Sequence, residues 1–305
     1  MLKLREATTY YPPSGSKDED GILTWRDLAR TYESDFADGQ WIFRGHDCLC
    51  RDFTSSLERA MTEFGYDRKQ GRLIERNLLK EFKRRAHHYV IDPPELSDTL
   101  QWLALMRHYG APTRLLDWTY SFWVAAFFAV ECPNPDFDYE SWAARKQRDQ
   151  IKCETPAHAI WAIDAAWCRD SANQLLLEEA FGKEKDRLLQ DGTEPSHSRF
   201  EQFLSSSEGM TYPVSPFRLN ERIVAQQGVF LCPSKLEVPF DDSLARMSPP
   251  SSKISCVKIA PEARQEILQE LGRMNVSRAV LFSGLEGFAT SLKGWMANEA
   301  RLLSK

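Results

Sequence analysis

Residues Met106–Val130 read MRHYGAPTRLLDWTYSFWVAAFFAV. Gly110-Ala111-Pro112 turns the chain, because glycine tolerates left-handed backbone and proline cannot continue a helix. It therefore ends a helix over Leu100–His108 and leads into a short strand at Leu115–Trp118. From Ser121 the sequence becomes apolar and alanine-rich, which predicts a buried helix over Phe122–Val130. Thr113, Arg114, Asp117, Thr119 and Ser121 thus lie beside a segment that must be buried, where polar groups have to be satisfied or used.

Working outward, residues 1–20 are polar and carry Pro and Ser, and read as a flexible arm. Thr24 is placed to cap a helix in which Leu28 and Tyr32 repeat at helical spacing. Trp41-Ile42-Phe43 is a short buried strand stopped by Arg44-Gly45. Gly71–Val90 is an amphipathic helix with Ile74, Leu78, Phe82 and Tyr89 near one stripe. Beyond the central stretch, residues 132–156 are charged and Pro-punctuated and read as an insertion. Ala157–Ile163 is a strand, and residues 165–215 form a polar, largely helical insertion. Ile223–Leu231 reads as a strand, which would send Gln226 and Gln227 to opposite faces. Ile254–Ile259 alternates as a strand, Pro261 starts a helix through Gly272, Ala279–Phe282 is a last strand and Phe288–Lys305 a terminal helix. The fold class is α+β: one domain over residues 21–305, with a small mixed or antiparallel β core of short strands surrounded by helices.

The chain has 305 residues, 42% of them hydrophobic, enough for a substantial core. A formal charge of −5 argues against coating nucleic acid or anionic membrane by bulk charge. No apolar run reaches membrane-spanning length and the N-terminus lacks a signal-peptide core, so a cytoplasmic protein is expected. Seven cysteines, an odd number without framework spacing, fit reduced thiols in that compartment. No Gly-rich phosphate loop, GxSxG elbow or HExxH is present, which removes the commonest NTPase, hydrolase and metalloprotease readings.

The motifs resemble those of the FRG domain family. Phe43-Arg44-Gly45 matches its name motif, and Glu75 to Ala86 its following helix. His108-Tyr109-Gly110-Ala111-Pro112-Thr113-Arg114-Leu115-Leu116-Asp117-Trp118-Thr119 is its most specific signature. Asn220–Phe230 (NERIVAQQGVF) and Val280–Ala289 are similar to its later blocks, so the resemblance runs from about Leu23 to Leu292. At Ser283-Gly284-Leu285-Glu286 the chain departs from the Pro-Asp-Leu-Asp type of turn.

The order of the motifs is in turn similar to the Arg–Ser/Thr–Glu/Gln order of ADP-ribosyltransferases. The resemblance implies a transferase or glycohydrolase acting on an NAD-type dinucleotide, with a toxin or antiviral-defence role and a macromolecular acceptor. Arg44 would grip a pyrophosphate through planar, bidentate donors. Thr119 and Ser121 would orient the ribose, and Gln226 or Gln227 would face its hydroxyls. Phe43, Gly45, His108, Thr113, Arg114, Asp117 and Trp118 would shape the substrate pocket. A glutamine cannot neutralise an oxocarbenium-like charge as a glutamate does. A non-catalytic module that senses a nucleotide, or binds protein or nucleic acid through the same pocket, is therefore the competing reading. No cofactor is firmly implied; NAD would be substrate.

Plainer roles stand beside each of these. A buried Arg44 would pair with Asp117 and hold two elements together, Arg114 and Asp117 would form a local ion pair in a turn, and Trp118 would plug the core. His108 would bond a carbonyl at its helix end, and Gln227-Gly228 would mark a bulge. His46-x-Cys48-x-Cys50 lacks a second cluster at zinc spacing and reads as ordinary thiols. The basic run Arg68–His88, with Arg84 and Arg85, would grip nucleic-acid phosphates or simply face solvent.

Overall fold

The computed structural model describes residues 9–11, 21–49, 53–131, 157–179 and 197–292. Its centre is a seven-stranded sheet of β1 (Thr9–Tyr11), β2 (Trp41–His46), β3 (Leu116–Thr119), β4 (His158–Asp164), β5 (Thr211–Val214), β6 (Gly228–Pro233) and β7 (Ile254–Ile259), in the order β1-β7-β4-β2-β3-β6-β5. Six strands pair antiparallel throughout, and β1 adds to β7 in parallel. The α+β expectation with an antiparallel core of short strands thus holds.

Helices cover both faces, which is why the central strands read as nearly continuous apolar runs rather than alternating ones. Along β4, Ala159, Trp161 and Ile163 enter one core while Ile160 and Ala162 enter the other. Along β2, Ile42 joins the first and Phe43 the second. The two-residue period of a strand divides one sequence between two cores.

Eleven α-helices have both ends among the described residues: α1 (Trp25–Asp35), α2 (Ser56–Glu63), α3 (Gly71–Ala86), α4 (Thr99–His108), α5 (Phe122–Val130), α6 (Ala165–Glu179), α7 (His197–Ser205), α8 (Glu221–Ala225), α9 (Phe240–Arg246), α10 (Arg264–Arg273) and α11 (Arg278–Leu281). Thr24 caps α1 by accepting from the Asp27 N–H at 3.2 Å. Ser121 caps α5 by accepting from Val124 N at 3.3 Å. Helix α5 is buried on nearly every side, Phe122, Val124 and Phe127 included. Each such side chain contributes about 1.5–3 kcal/mol by leaving water. Gly45 lets α5 lie directly on β2: a Cβ there would meet the Ala125 carbonyl oxygen at 2.1 Å and the Ala129 nitrogen at 2.4 Å.

Several expectations change. Ile223–Leu231 is not one strand but α8 followed by β6, with Gln226 as helix C-cap and Gln227 in left-handed backbone at φ 47°. The two glutamines therefore do not alternate across a sheet. Ala279–Phe282 is not a strand; α11 occupies it. Residues 165–215 include an integral strand, β5, besides the expected helices. Residues 285–292 are already helical, so the last helix starts ahead of Phe288. Of the arm expected at 1–20, Thr9–Tyr11 forms β1 and the remainder lies outside the described residues, as does the insertion at 132–156. Cys48 is disulfide-bonded, against the expectation of uniformly reduced thiols, whereas Cys168, Cys232 and Cys256 are free and buried. Among the described residues no helix is long and apolar enough to cross a membrane.

Candidate functional site

A cavity of about 250 Å³ opens where the C-terminal end of α4, strand β3, helix α8 and the start of β6 meet. The sequence builds each wall locally. Helix α4 ends at Gly110 (φ 81°), which leaves Arg107 and His108 in its last turn at the cavity edge. The chain then returns as β3, whose Asp117 pairs in register with Phe230 of β6. Asn220 caps α8 by accepting from Ile223 N at 2.9 Å, and this aims Arg222 and Gln226 at the same space.

The charges at the centre form a pair with a surplus cation. Arg107 Nε donates to both Asp117 carboxylate oxygens, at 3.1 and 3.2 Å, and Arg107 Nη2 donates to one of them as well. Burial by itself would raise the Asp117 pKa, but Arg107, with Arg44 and Arg222 nearby, holds it below the usual carboxylate range. The Arg222 guanidinium lies over the Phe282 ring at 4.5 Å and makes no hydrogen bond or ion pair to any described residue. Partial burial, then the like charges of Arg107 and Arg278, lower its pKa, against the pull of Asp117 and Glu286. It stays charged at any physiological pH. Arg278 also lies over Phe282, at 4.4 Å, but is neutralised by Glu131 at 2.7 Å. Partial burial and then Arg222 lower the pKa of His108, so its ring faces the cavity neutral, able to donate from one nitrogen and accept at the other.

Of the residues expected at a site, His108, Asp117, Trp118 and Gln226 line this cavity. The others do not. Arg44 Nη1 donates to the backbone carbonyl of Asp117, not to its carboxylate, and Arg44 Nε donates to His46 Nε2 at 3.0 Å. His46 Nε2 is the acceptor in that bond. Thr119 Oγ1 donates to the Gln226 carbonyl at 2.6 Å and accepts from Ser121 N at 2.9 Å. Gln226 Nε2 donates to the Leu281 carbonyl at 3.0 Å, and the exposed Gln227 offers its carbonyl to Tyr120 N at 2.9 Å. Phe43 is core, Gly45 is the seat of α5, and Trp118 packs on Phe53 in the first core.

The expected Arg114–Asp117 pair is absent, because each has a better partner. Arg114, fully buried, donates Nε to both Glu75 oxygens (2.9 and 2.8 Å) and Nη1 to the carbonyls of Pro233 (3.1 Å) and Ser234 (2.9 Å). It locks α3 to the ends of β3 and β6. Thr113 clamps the start of α2, its N–H donating to Ser56 Oγ at 3.0 Å and its carbonyl accepting from Leu57 N at 3.1 Å. Arg84 and Arg85 are exposed and both pair with Glu81. Among the described residues no group of three His, Cys, Asp or Glu is placed to hold a metal ion. Burial pushes the Cys168 and Cys232 thiols to about 12, which removes them as nucleophiles.

Residues 39–137 match the family model described as FRG domain. The chain carries an FRG domain. The match is narrower than the span Leu23–Leu292 read from the motifs. It holds the Phe43-Arg44-Gly45 strand, the His108–Thr119 signature and α5, and thus the Arg107–Asp117 wall of the cavity. The Arg222 wall comes from outside the matched FRG segment. No curated protein and no solved structure matches the chain. Arg107, Asn220 and Arg222 are not among the site residues expected from the sequence, although Arg222 lies in the Asn220–Phe230 block. For Arg222 the signal was available: Asn220-Glu221 is an N-cap followed by an acidic first turn, which would have placed a helix and its Arg at this point.

Proposed function

We propose that the cavity beside the FRG domain's central strand binds a phosphate-bearing nucleotide without turning it over. The observation that carries this reading is Arg222: a guanidinium at a cavity wall, with Arg107 and a neutral His108 beside it, and with no carboxylate among the described residues bonded to it. Guanidinium groups favour phosphate and carboxylate through paired, charge-assisted hydrogen bonds. Asp117, already gripped by Arg107, excludes a second carboxylate from that position and leaves Arg222 as the docking point. A neutral imidazole suits a sugar hydroxyl or a base edge.

The transferase reading asks for free ribose-orienting hydroxyls and a free amide. Thr119, Ser121 and Gln226 each hold a backbone group of the protein instead, and Arg44 is bonded behind Asp117. The binding reading therefore draws more support from the geometry. The decisive experiment compares thermal shifts and calorimetry for pyrophosphate, AMP, ADP-ribose and NAD on the intact chain and on Arg222→Gln, with nicotinamide release followed in parallel. Stabilisation by phosphate-bearing ligands that Arg222→Gln abolishes, without nicotinamide release, is expected. Absence of any binding to the folded protein would overturn the reading, and NAD turnover would restore the transferase.

A further inference from the structure

The cavity is small for a drug-sized or dinucleotide ligand, since such sites usually span about 300–1,000 Å³, whereas this one encloses about 250 Å³. The segments that build its walls carry large aromatic residues exposed to solvent. Tyr109 is 65% exposed, Tyr120 45% and Phe217 85%. Each is tied to a residue of the cavity or its walls. The Tyr109 ring stands edge-on to the cavity-lining His108, centroids 4.8 Å apart. The Tyr120 N–H bonds the Gln227 carbonyl between cavity-lining Gln226 and Gly228. With the Gln101 side-chain amide turned so that its oxygen accepts, the N–H groups of Phe217 and Arg218 both lie 2.6 Å from it, so this segment lies beside the first turn of α4. Tyr109 and Phe217 therefore belong to segments on the α4 side of the cavity, and Tyr120 to the segment that meets the end of α8.

Extending the nucleotide-binding reading, on which this rests, we infer that the ligand is a single-stranded nucleic acid, with one phosphate-bearing unit in the cavity and neighbouring bases on the rim. Sequence-tolerant single-strand binders combine backbone-tracking cations with aromatic rings on which successive bases stack. Here Arg222 and Arg107 provide the cations, and Tyr109, Tyr120 and Phe217 the rings. Exposed aromatic rings on both sides of a cationic hollow suit a ligand with several π faces better than a lone mononucleotide, which would leave the rim bare. The acids at the margin limit the site rather than forbid it. Asp117 is held by Arg107, Asp92 by Arg218 at 2.5 Å, and Glu221 and Glu286 remain, so affinity comes from stacking as much as from charge. This surface is separate from Arg84 and Arg85, which share Glu81 as their partner.

Fluorescence anisotropy with labelled 12-nucleotide single-stranded RNA and DNA tests it, against AMP and pyrophosphate as the small probes. Three rim variants, Tyr109→Ala, Tyr120→Ala and Phe217→Ala, lie on the surface and keep the fold, which circular dichroism verifies. Each is expected to weaken the oligonucleotide about tenfold, in line with the stacking contribution of one base, and to leave AMP binding unchanged. Arg222→Gln is expected to weaken both. With two phosphates neutralised, log K should fall against log salt with a slope of about −1.4. An oligonucleotide that binds no tighter than AMP, or rim variants that bind it as well as the unaltered chain, would overturn this inference while leaving nucleotide binding intact. Loss of AMP and pyrophosphate binding altogether would instead strike the earlier reading. An acidic peptide of equal charge that competes as well as the oligonucleotide would assign the mouth to protein.

Discussion

Arg107 grips the carboxylate of Asp117 while Arg44 takes the backbone carbonyl of that same residue, so one aspartate is held from its side chain and its main chain by two arginines. The carboxylate is half-exposed in the cavity, and an ion pair so placed contributes at most about 1 kcal/mol to stability. Its larger effect is on the ligand. Asp117→Asn removes a negative charge from the cavity and releases Arg107. Pyrophosphate should then bind several-fold tighter with the melting temperature little changed, as calorimetry would show. Weaker binding would mean that Arg107 must be held by Asp117 to serve the ligand.

Glu75 is a different case. It is buried, and it is the anion for a fully buried Arg114. Glu75→Gln leaves that guanidinium without its charge partner, a change that typically costs about 3–5 kcal/mol. Urea unfolding of the variant should show a loss of that order. The double change Glu75→Leu with Arg114→Met should recover much of it, because an apolar pair removes both desolvation penalties. A single variant as stable as the parent would rule out the lock between α3 and the β3–β6 ends.

Gly45→Ala should be among the most damaging single methyl additions in this chain. The clash is with backbone atoms of α5, which no side-chain rotation relieves. Overpacking of a filled core costs about 1–3 kcal/mol, with larger values where backbone must move. Gly110→Ala meets empty space and suffers only its positive φ, so its loss should stay near 1 kcal/mol. Chemical denaturation of the two variants side by side checks the order.

His158 makes stability depend on pH. Burial, chiefly, with the charge of Arg264, lowers its pKa below the ordinary 6.5, although the Asp47 carbonyl, bonded to Nδ1 at 3.0 Å, opposes this. The unfolded chain therefore takes up a proton before the folded one does. Stability is complete above pH 6.5 and declines as pH falls from there toward the folded-state value. His108 acts in the same direction. Unfolding midpoints at pH 7.5 and 5.5 should differ in the parent and differ less in His158→Gln.

Much of this fold is legible where local chemistry decides it. The Thr24 cap, the apolar run of α5 entered from Ser121 and the strands β4 and β7 all follow from spacing and burial, whereas β2 continues past Arg44-Gly45, where the sequence ends it, to His46. Helix α8 was misread because Ile223, Val224, Val229 and Phe230 look β-like, while the break is set by Gln227 adopting left-handed backbone, a conformation usually reserved for Gly or Asn. The site was legible only in part. His108 and Asp117 stand inside a dense motif, but Arg114 finds Glu75 thirty-nine positions away, and no local pattern encodes that. Nor does any pattern show that Thr119 would turn its hydroxyl to the Gln226 carbonyl rather than to a ligand.

The parallel contact between Thr9–Tyr11 and Ser255–Val257 has a practical outcome. It supplies a neighbour to the outer rim of β7, whose amide and carbonyl groups would otherwise point outward as a template for foreign strands. A version of the protein lacking its first twenty residues should keep its core and its cavity yet self-associate, and light scattering against concentration would reveal it.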